Sequence, residues 1–467
     1  MQVASPDEAV VEHRRRSVRA DPPAVVPVAA GLGVAVRVAV GRGIGLGAAV
    51  RVAVGRGVLD AVGRAVFRRV RGAVVAAAAG PRGQPSARQV PAPCSVHRGS
   101  SRAGRPSGST ARRPASWQDR PGVAPPRAVR RCRATRSTFP TALCYPDPVH
   151  VVLTGGAGFI GSHLAERLVA EGHKVLIYDA FTKQYPPAVK RRNVAAALAL
   201  PGCSLIEGDV LEAQRFDSVF SAQAVDAIVH LAAYTGPATP EASRSVIETN
   251  VLGTHNVFER ARRHGVQKYV YLSSAAVYGL RQQGPCKETD PADRPLSAYA
   301  ASKKAAESLA WLAHRQHGVE VAVLRAFAVY GPRQRPDQLI HRAARRLLAA
   351  EPLELPGDGT QVFDFVYVDD VIDAVVRALG AVAGFEVLNV GSGSGTTVRE
   401  LVDRLAAVAG VAPAATPGPP DPTIPSVSLA DVAKAERLLG WRPTTGLDDG
   451  LRKMIAWMRA EEFADEA

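Results

Sequence analysis

Three glycines spaced three apart, Gly155, Gly158 and Gly161 in TGGAGFIG, stand between the apolar run HVVLT and a helical pattern with Ile160, Leu164, Leu168 and Val169 on one side. A second apolar run, KVLIYD, follows at once. Strand, glycine turn, helix and strand in that order are the first βαβ unit of a doubly wound parallel sheet. The glycines divide the work of such a turn: one bends it tightly, one lets backbone approach a pyrophosphate, and one lets the helix pack close to the strand. The helix amino terminus then faces the phosphates with unpaired N–H groups.

Asp179 closes the second strand, where a carboxylate can accept hydrogen bonds from the adenosine ribose of a dinucleotide. The same charge repels a 2′-phosphate, so NAD is expected rather than NADP. Asp209, ending the following strand in EGDV, suits contact with the adenine amino group. Further strands are expected at CSLIEGD, AIVHLAA, YVYLSS and VAVLRAF, separated by helices such as 250–264 and 299–317. Alternation at this spacing means an α/β fold of the Rossmann type, its parallel sheet covered on both faces. The expected organisation is an NAD-binding domain over 149–327, to which 366–392 return, and a smaller substrate-binding lobe from 328–365 and 393–460.

Composition separates this region from what precedes it. The whole chain carries a formal charge of +15, which on its own points to a nucleic-acid partner. Residues 1–148, however, hold 25 Arg, no Lys and 7 acids, so the remainder is mildly acidic and that argument fails. The stretch is rich in Ala, Gly, Pro and Arg, and AVRVAVGRG occurs in it twice. From residue 80 to 148 it shows neither strand nor helix periodicity, so it is expected to be disordered, or to reflect a start placed upstream of a true one near Val149. The apolar run 22–36 is short of the roughly 20 residues that span a bilayer and is broken afterwards by Arg37, Arg42 and Arg51. Cys94, Cys132, Cys144, Cys203 and Cys286 form no CxxC pair and no metal-ligand spacing. The expectations are a cytoplasmic protein without metal, membrane or nucleic-acid partner.

Tyr299 and Lys303, in YAASK, are four residues apart and project from one helix face toward one place. A lysine cation there can lower the phenol pKa, which makes the tyrosine a general acid and base. Ser273 and Ser274 end a strand in YLSSAAVYG, where a hydroxyl can share the proton path.

With these residues in place, the stretch from Val151 to about Met458 resembles the extended short-chain dehydrogenases/reductases, specifically the NAD-dependent epimerase/dehydratase family. The motifs that carry the resemblance are TGGAGFIG, YD at 178–179, GD at 208–209, HLAA at 230–233, ETNVLGTHN at 248–256, SSAAVYG at 273–279, YAASK at 299–303, LRAFAVYGP at 324–332, FVYVDDV at 365–371 and NVGSG at 389–393. The resemblance implies NAD binding by Gly155, Gly158, Phe159, Ile160, Gly161, Asp179, Asp209, Val210, Leu231, Ala232, Ala233 and Lys303. It implies chemistry at Ser274, Tyr299 and Lys303, and a homodimer formed through helices 250–264 and 299–315.

Two features narrow the family. Its 4,6-dehydratases place an Asp-Glu pair where this chain has Ala275 and Ala276, so no acid is there to expel a hydroxyl as water. FTKQYPPAVKRRN and GPRQRPD are similar to the UDP-glucuronate 4-epimerase subgroup, in which the residue matching Arg335 faces the sugar carboxylate. Departures are also present. Ala328 stands where Asn or Thr is common, Phe363 replaces an Arg, and 417–422 read PGPPDP where another Arg is usual. Each lost guanidinium removes a charge-assisted bond to a nucleotide diphosphate, worth roughly 1.5 to 3 kcal/mol. The expected function is 4-epimerisation of a nucleotide sugar of the UDP-glucose or UDP-glucuronate type. The alternatives are another NAD-dependent sugar-nucleotide oxidoreductase or dehydratase of the family, and an NAD-binding regulatory pseudoenzyme.

Overall fold

A computed structural model describes residues 148–461 apart from 222, 237–238, 281–283 and 414. The expectations for 1–148, Cys94, Cys132 and Cys144 included, lie outside the described residues save for Pro148. The chain runs β1 (His150–Thr154), α1 (Phe159–Ala170), β2 (Lys174–Asp179), α2 (Pro187–Leu198), β3 (Cys203–Glu207) and β4 (Ala227–His230). Helices α3 (Pro240–Ile247) and α4 (Thr254–Arg263) follow, then β5 (Lys268–Ser274), α5 (Ala298–His317) and β6 (Glu320–Ala326).

Beyond β6 the chain forms β7 (Ala328–Tyr330), α6 (Leu339–Leu348), β8 (Leu353–Leu355) and β9 (Val362–Tyr367). It returns through α7 (Val368–Ala381) and β10 (Phe385–Val390). The last elements are β11 (Gly395–Thr397), α8 (Val398–Ala409), β12 (Ala415–Pro417), β13 (Val427–Ser428), α9 (Ala433–Leu439) and α10 (Leu447–Glu461).

Among the described residues, seven parallel strands make one sheet in the order β10-β6-β5-β4-β1-β2-β3. The apolar runs fill it by simple alternation. Val151, Leu153, Val175 and Ile177 join the core under α1 and α7, while Val152, Leu176, Tyr178 and Ile228 join the core under α4 and α5. A strand buried on both faces needs no polar positions, which is why these runs read as continuous hydrophobic stretches. β1 pairs with β2 on one side and β4 on the other, so the strand order reverses there and opens a crevice at the carboxyl ends.

A smaller sheet, β11-β9-β13 with β7 also paired to β9, sits with the β8–β12 pair over those ends. Its strand β9 runs to Tyr367, so the return to the main sheet begins with α7 at Val368. One helix differs from its sequence expectation. The stretch from Glu248 to Gly253 is a wider π turn between α3 and α4. It points Asn250 inward, where its amide accepts from Tyr234 N (2.7 Å) and donates to Tyr234 O and Ser302 Oγ (both 2.9 Å). The segment after β4 is thereby fixed to helix α5. No helix among the described residues is long and apolar enough to cross a membrane.

Candidate active site

The three glycines separate cleanly by geometry. Gly155 has φ +70°, and a Cβ there would come within 2.6 Å of Ala232 N, so only glycine fits the turn. At Gly161 a Cβ would meet Gly156 Cα at 2.6 Å, the close packing of helix on loop. Gly158 is different: its backbone is extended, and beyond Gly155 O at 3.2 Å the next atom is the Tyr185 hydroxyl at 3.9 Å. The loop therefore leaves a cradle at Gly158 that a side chain would fill, in front of the amino terminus of α1.

Asp179 is buried at the end of β2. Ala157 N donates to its Oδ2 (3.1 Å) and Phe181 N to its Oδ1 (2.8 Å), which fixes the carboxylate against the glycine loop. These two bonds use about half of its acceptor sites and leave room for ligand hydroxyls. A buried lysine absent from the sequence expectations, Lys190, stands 3.6 Å from Asp179 and donates to Thr182 Oγ1 at 3.3 Å. Gly155, Asp179, Asp209, Val210, Ala232, Ala233 and Lys190 together line a small cavity of about 70 Å³. Asp209 accepts from Leu211 N at 2.9 Å, and Leu231 N is tied to Thr154 O. A cradle before a helix amino terminus and an anchored acid beside a small cavity fit a dinucleotide.

A second cavity, of about 880 Å³, adjoins the loop and is lined by Phe159, Ile160, Ser274, Tyr299 and Arg335 among others. Tyr299 lies in the first turn of α5, whose amino terminus is capped by Ser297 Oγ accepting from Ala300 N. Burial pushes the Tyr299 phenol up, against a hydrogen bond with Ser274 and the charge of Arg335, which both pull it down. Ser274 itself is held at the strand end by Ala276 N at 3.2 Å. Ser273, its neighbour, turns away and donates to the buried Glu307 at 2.7 Å.

Lys303 is buried beside the tyrosine, on the same face of α5. Its Nζ donates to Leu272 O (2.7 Å) and lies 5.9 Å from the Tyr299 ring centre and 4.9 Å from that of Tyr271. Burial lowers the Lys303 pKa to about 7, with Glu307 pulling it back up. Near neutrality this lysine is only partly charged, so the groups that draw the phenol down are Ser274 and Arg335.

Arg335 reaches the same cavity with much of its hydrogen-bonding already used. Its Nε donates to Asp337 Oδ1 at 3.0 Å, Nη2 donates to Asp337 Oδ2, and Nη1 donates to Thr235 Oγ1. With its oxygen turned inward, the Gln184 amide accepts from Arg335 Nη1 and Nη2 at 3.3 and 3.2 Å. Phe363, Phe365, Pro419, Pro420 and Ile424 make the far wall apolar. Thr235, Gln184 and Tyr185 gave no periodic signal, because they sit on irregular segments. Lys190 was detectable only as a charge one turn into the helix after FTKQYPP.

Fold and site together define an α/β protein of the Rossmann type with Ser274, Tyr299 and Lys303 gathered at the carboxyl ends of its sheet. Residues 151–391 match the NAD dependent epimerase/dehydratase family, and the chain belongs to that family. It is 31% identical over 312 residues to a UDP-glucuronate 4-epimerase of Thermodesulfobacterium geofontis, spanning 66% of this chain and 96% of that one. A UDP-glucuronic acid 4-epimerase from Bacillus cereus, solved with UDP-glucuronic acid and NAD, is similar at 30% identity and TM-score 0.63, covering 67% of this chain and 99% of that one. A dTDP-glucose 4,6-dehydratase from Streptomyces venezuelae, solved with NAD and TYD, is similar at 32% identity and TM-score 0.63, covering 68% and 98%.

Proposed function

We propose that the protein is an NAD-dependent nucleotide-sugar 4-epimerase of the UDP-glucose or UDP-glucuronate type. The observation that carries the reading is the Tyr299 phenol, hydrogen-bonded to Ser274 and facing a cavity large enough for a sugar nucleotide. Bound NAD supplies a hydride acceptor that also returns the hydride, so no net oxidation results. Tyr299, as phenolate, would take the proton of the C4 hydroxyl as the sugar is oxidised to its 4-keto form. Ser274 would hold the phenol oxygen and share its proton. Tyr299 would give the proton back to that oxygen when the keto sugar, turned over, is reduced on its other face.

Fold similarity alone does not separate epimerase from dehydratase, since the relatives include both at the same TM-score. Ala275 and Ala276 favour the epimerase: they form the turn after Ser274 and carry no acid to assist loss of a hydroxyl. Arg335 favours a uronate. Asp337 occupies its fork with a carboxylate, and at 58% side-chain exposure that carboxylate can move to water when a substrate carboxylate takes its place. The homodimer reading is supported by Ile247, Leu252, Trp311 and Leu312, large apolar side chains exposed around the π turn and on α5.

Incubated without added NAD, the protein should convert UDP-glucuronate to its C4 epimer faster than UDP-glucose, and Arg335→Ala should lose that preference. Conversion of neither sugar, with free NAD reduced instead, points to a simple oxidoreductase. Equal turnover of both sugars by parent and variant takes Arg335 out of the site.

A further inference from the structure

Tyr185 lies in the irregular segment joining β2 to α2. It is only 8% exposed, and its hydroxyl is buried without a hydrogen-bond partner. An unpaired buried hydroxyl is uncommon, because it carries the full penalty of desolvation with nothing in return. The surroundings explain where a partner belongs. The hydroxyl is 3.9 Å from the position of a Cβ on Gly158, the one glycine of the loop where a Cβ would meet nothing closer than 3.2 Å. Lys190 Nζ, paired with Asp179, stands 5.1 Å from the ring centre, and the Arg335 guanidinium carbon, paired with Asp337, 5.9 Å from it. An oxygen anion in the cradle would meet the amino terminus of α1 and this O–H donor.

The neighbouring residues make the arrangement rigid. Pro186 and Pro187 fix the chain just after Tyr185 and start α2. Phe181 N is tied to Asp179, and Gln184 lies on Thr235 and Arg335. A tyrosine held this firmly has no freedom to turn its hydroxyl to water. We infer that Tyr185 is a phosphate ligand of the cofactor site, its hydroxyl donating to a pyrophosphate oxygen of the dinucleotide held over Gly158. The inference rests on the NAD reading above and deepens it. Tyr185 is thus a binding residue of the dinucleotide site, contributed from outside the glycine loop.

An unpaired hydroxyl gives the experiment an unusual sign. Removing a hydroxyl that bonds within the protein destabilises the free protein, whereas removing one that waits for a ligand does not. Protein freed of nucleotide is melted alone and with NAD or ADP-ribose, as the parent and as Tyr185→Phe, and dissociation constants are measured by calorimetry. Expected for Tyr185→Phe is a free-protein melting temperature equal to or above the parent's. NAD and ADP-ribose should both bind about tenfold more weakly, since both carry the pyrophosphate. Gly158→Ala, whose extended backbone accepts alanine once Gly155 O yields by a few tenths of an ångström, should fold and bind neither ligand.

Parent-like affinity in Tyr185→Phe, or a lowered melting temperature of the free variant, overturns the assignment while leaving the NAD reading intact. So does full NAD binding by Gly158→Ala, which would show that the cradle is not ligand space. Absence of any NAD or ADP-ribose effect on the parent overturns the cofactor reading and this inference with it.

Discussion

Replacing Tyr299 by Phe should lower turnover by about 100- to 10,000-fold and leave the fold unchanged. The ring packs at the head of α5 and phenylalanine fills the same volume, so the loss isolates the hydroxyl. Burial raises the phenol pKa in the free protein, and the hydrogen bond from Ser274 and the charge of Arg335 only partly offset it. A base must nevertheless be formed before a C4 hydroxyl can lose its proton. Ser274→Ala should therefore slow the reaction as well, and by less, because it removes one of the two groups that favour the phenolate. Initial rates on whichever UDP-sugar the parent converts are the measurement. Turnover of Tyr299→Phe at the parent rate removes the phenol from the chemistry, and bound NAD should be retained by the variant in either case.

What the sequence revealed and what it hid divide along physical lines. The glycine loop, the strand-end Asp179 and the Tyr299–Lys303 pair were legible because local geometry dictates them. A turn with positive φ needs Gly155, and residues four apart on a helix share a face whatever lies around them. Where a role depends on contacts between distant segments, spacing gives nothing. Asp337 occupies the Arg335 fork, Lys190 stands 3.6 Å from Asp179, and the π turn directs Asn250 onto Tyr234 and Ser302. None of these follows from a pattern along the chain. Lys303 shows the same limit from the other side: its position was legible, but its charge state depends on how deeply α5 buries it.

That burial leads to a second large effect, one in which stability and activity move in opposite directions. Lys303 is 3% exposed, its pKa is lowered to about 7, and its Nζ is held by Leu272 O. In the unfolded chain the same group titrates near 10.4. Between these values the unfolded state binds more protons than the folded one, so the free protein should gain stability from this group as pH rises from about 7 to 10. At and below pH 7 the buried cation opposes folding by an amount of order several kcal/mol. Lys303→Met removes that opposition, and the Leu272 carbonyl left without its donor costs only about 1 to 3 kcal/mol in return. The variant should therefore melt at or above the parent temperature at pH 6, with the difference shrinking or reversing by pH 10. Activity should fall by at least about 100-fold, because Lys303 belongs to the proposed Ser-Tyr-Lys set and lies beside Tyr299 at the head of α5. Melts of the nucleotide-free proteins at the two pH values test this directly. A Lys303→Met protein that melts lower at pH 6, or whose offset from the parent does not change with pH, would show that the lysine is held charged and paired in the fold, and that its cation is part of what keeps α5 against β5.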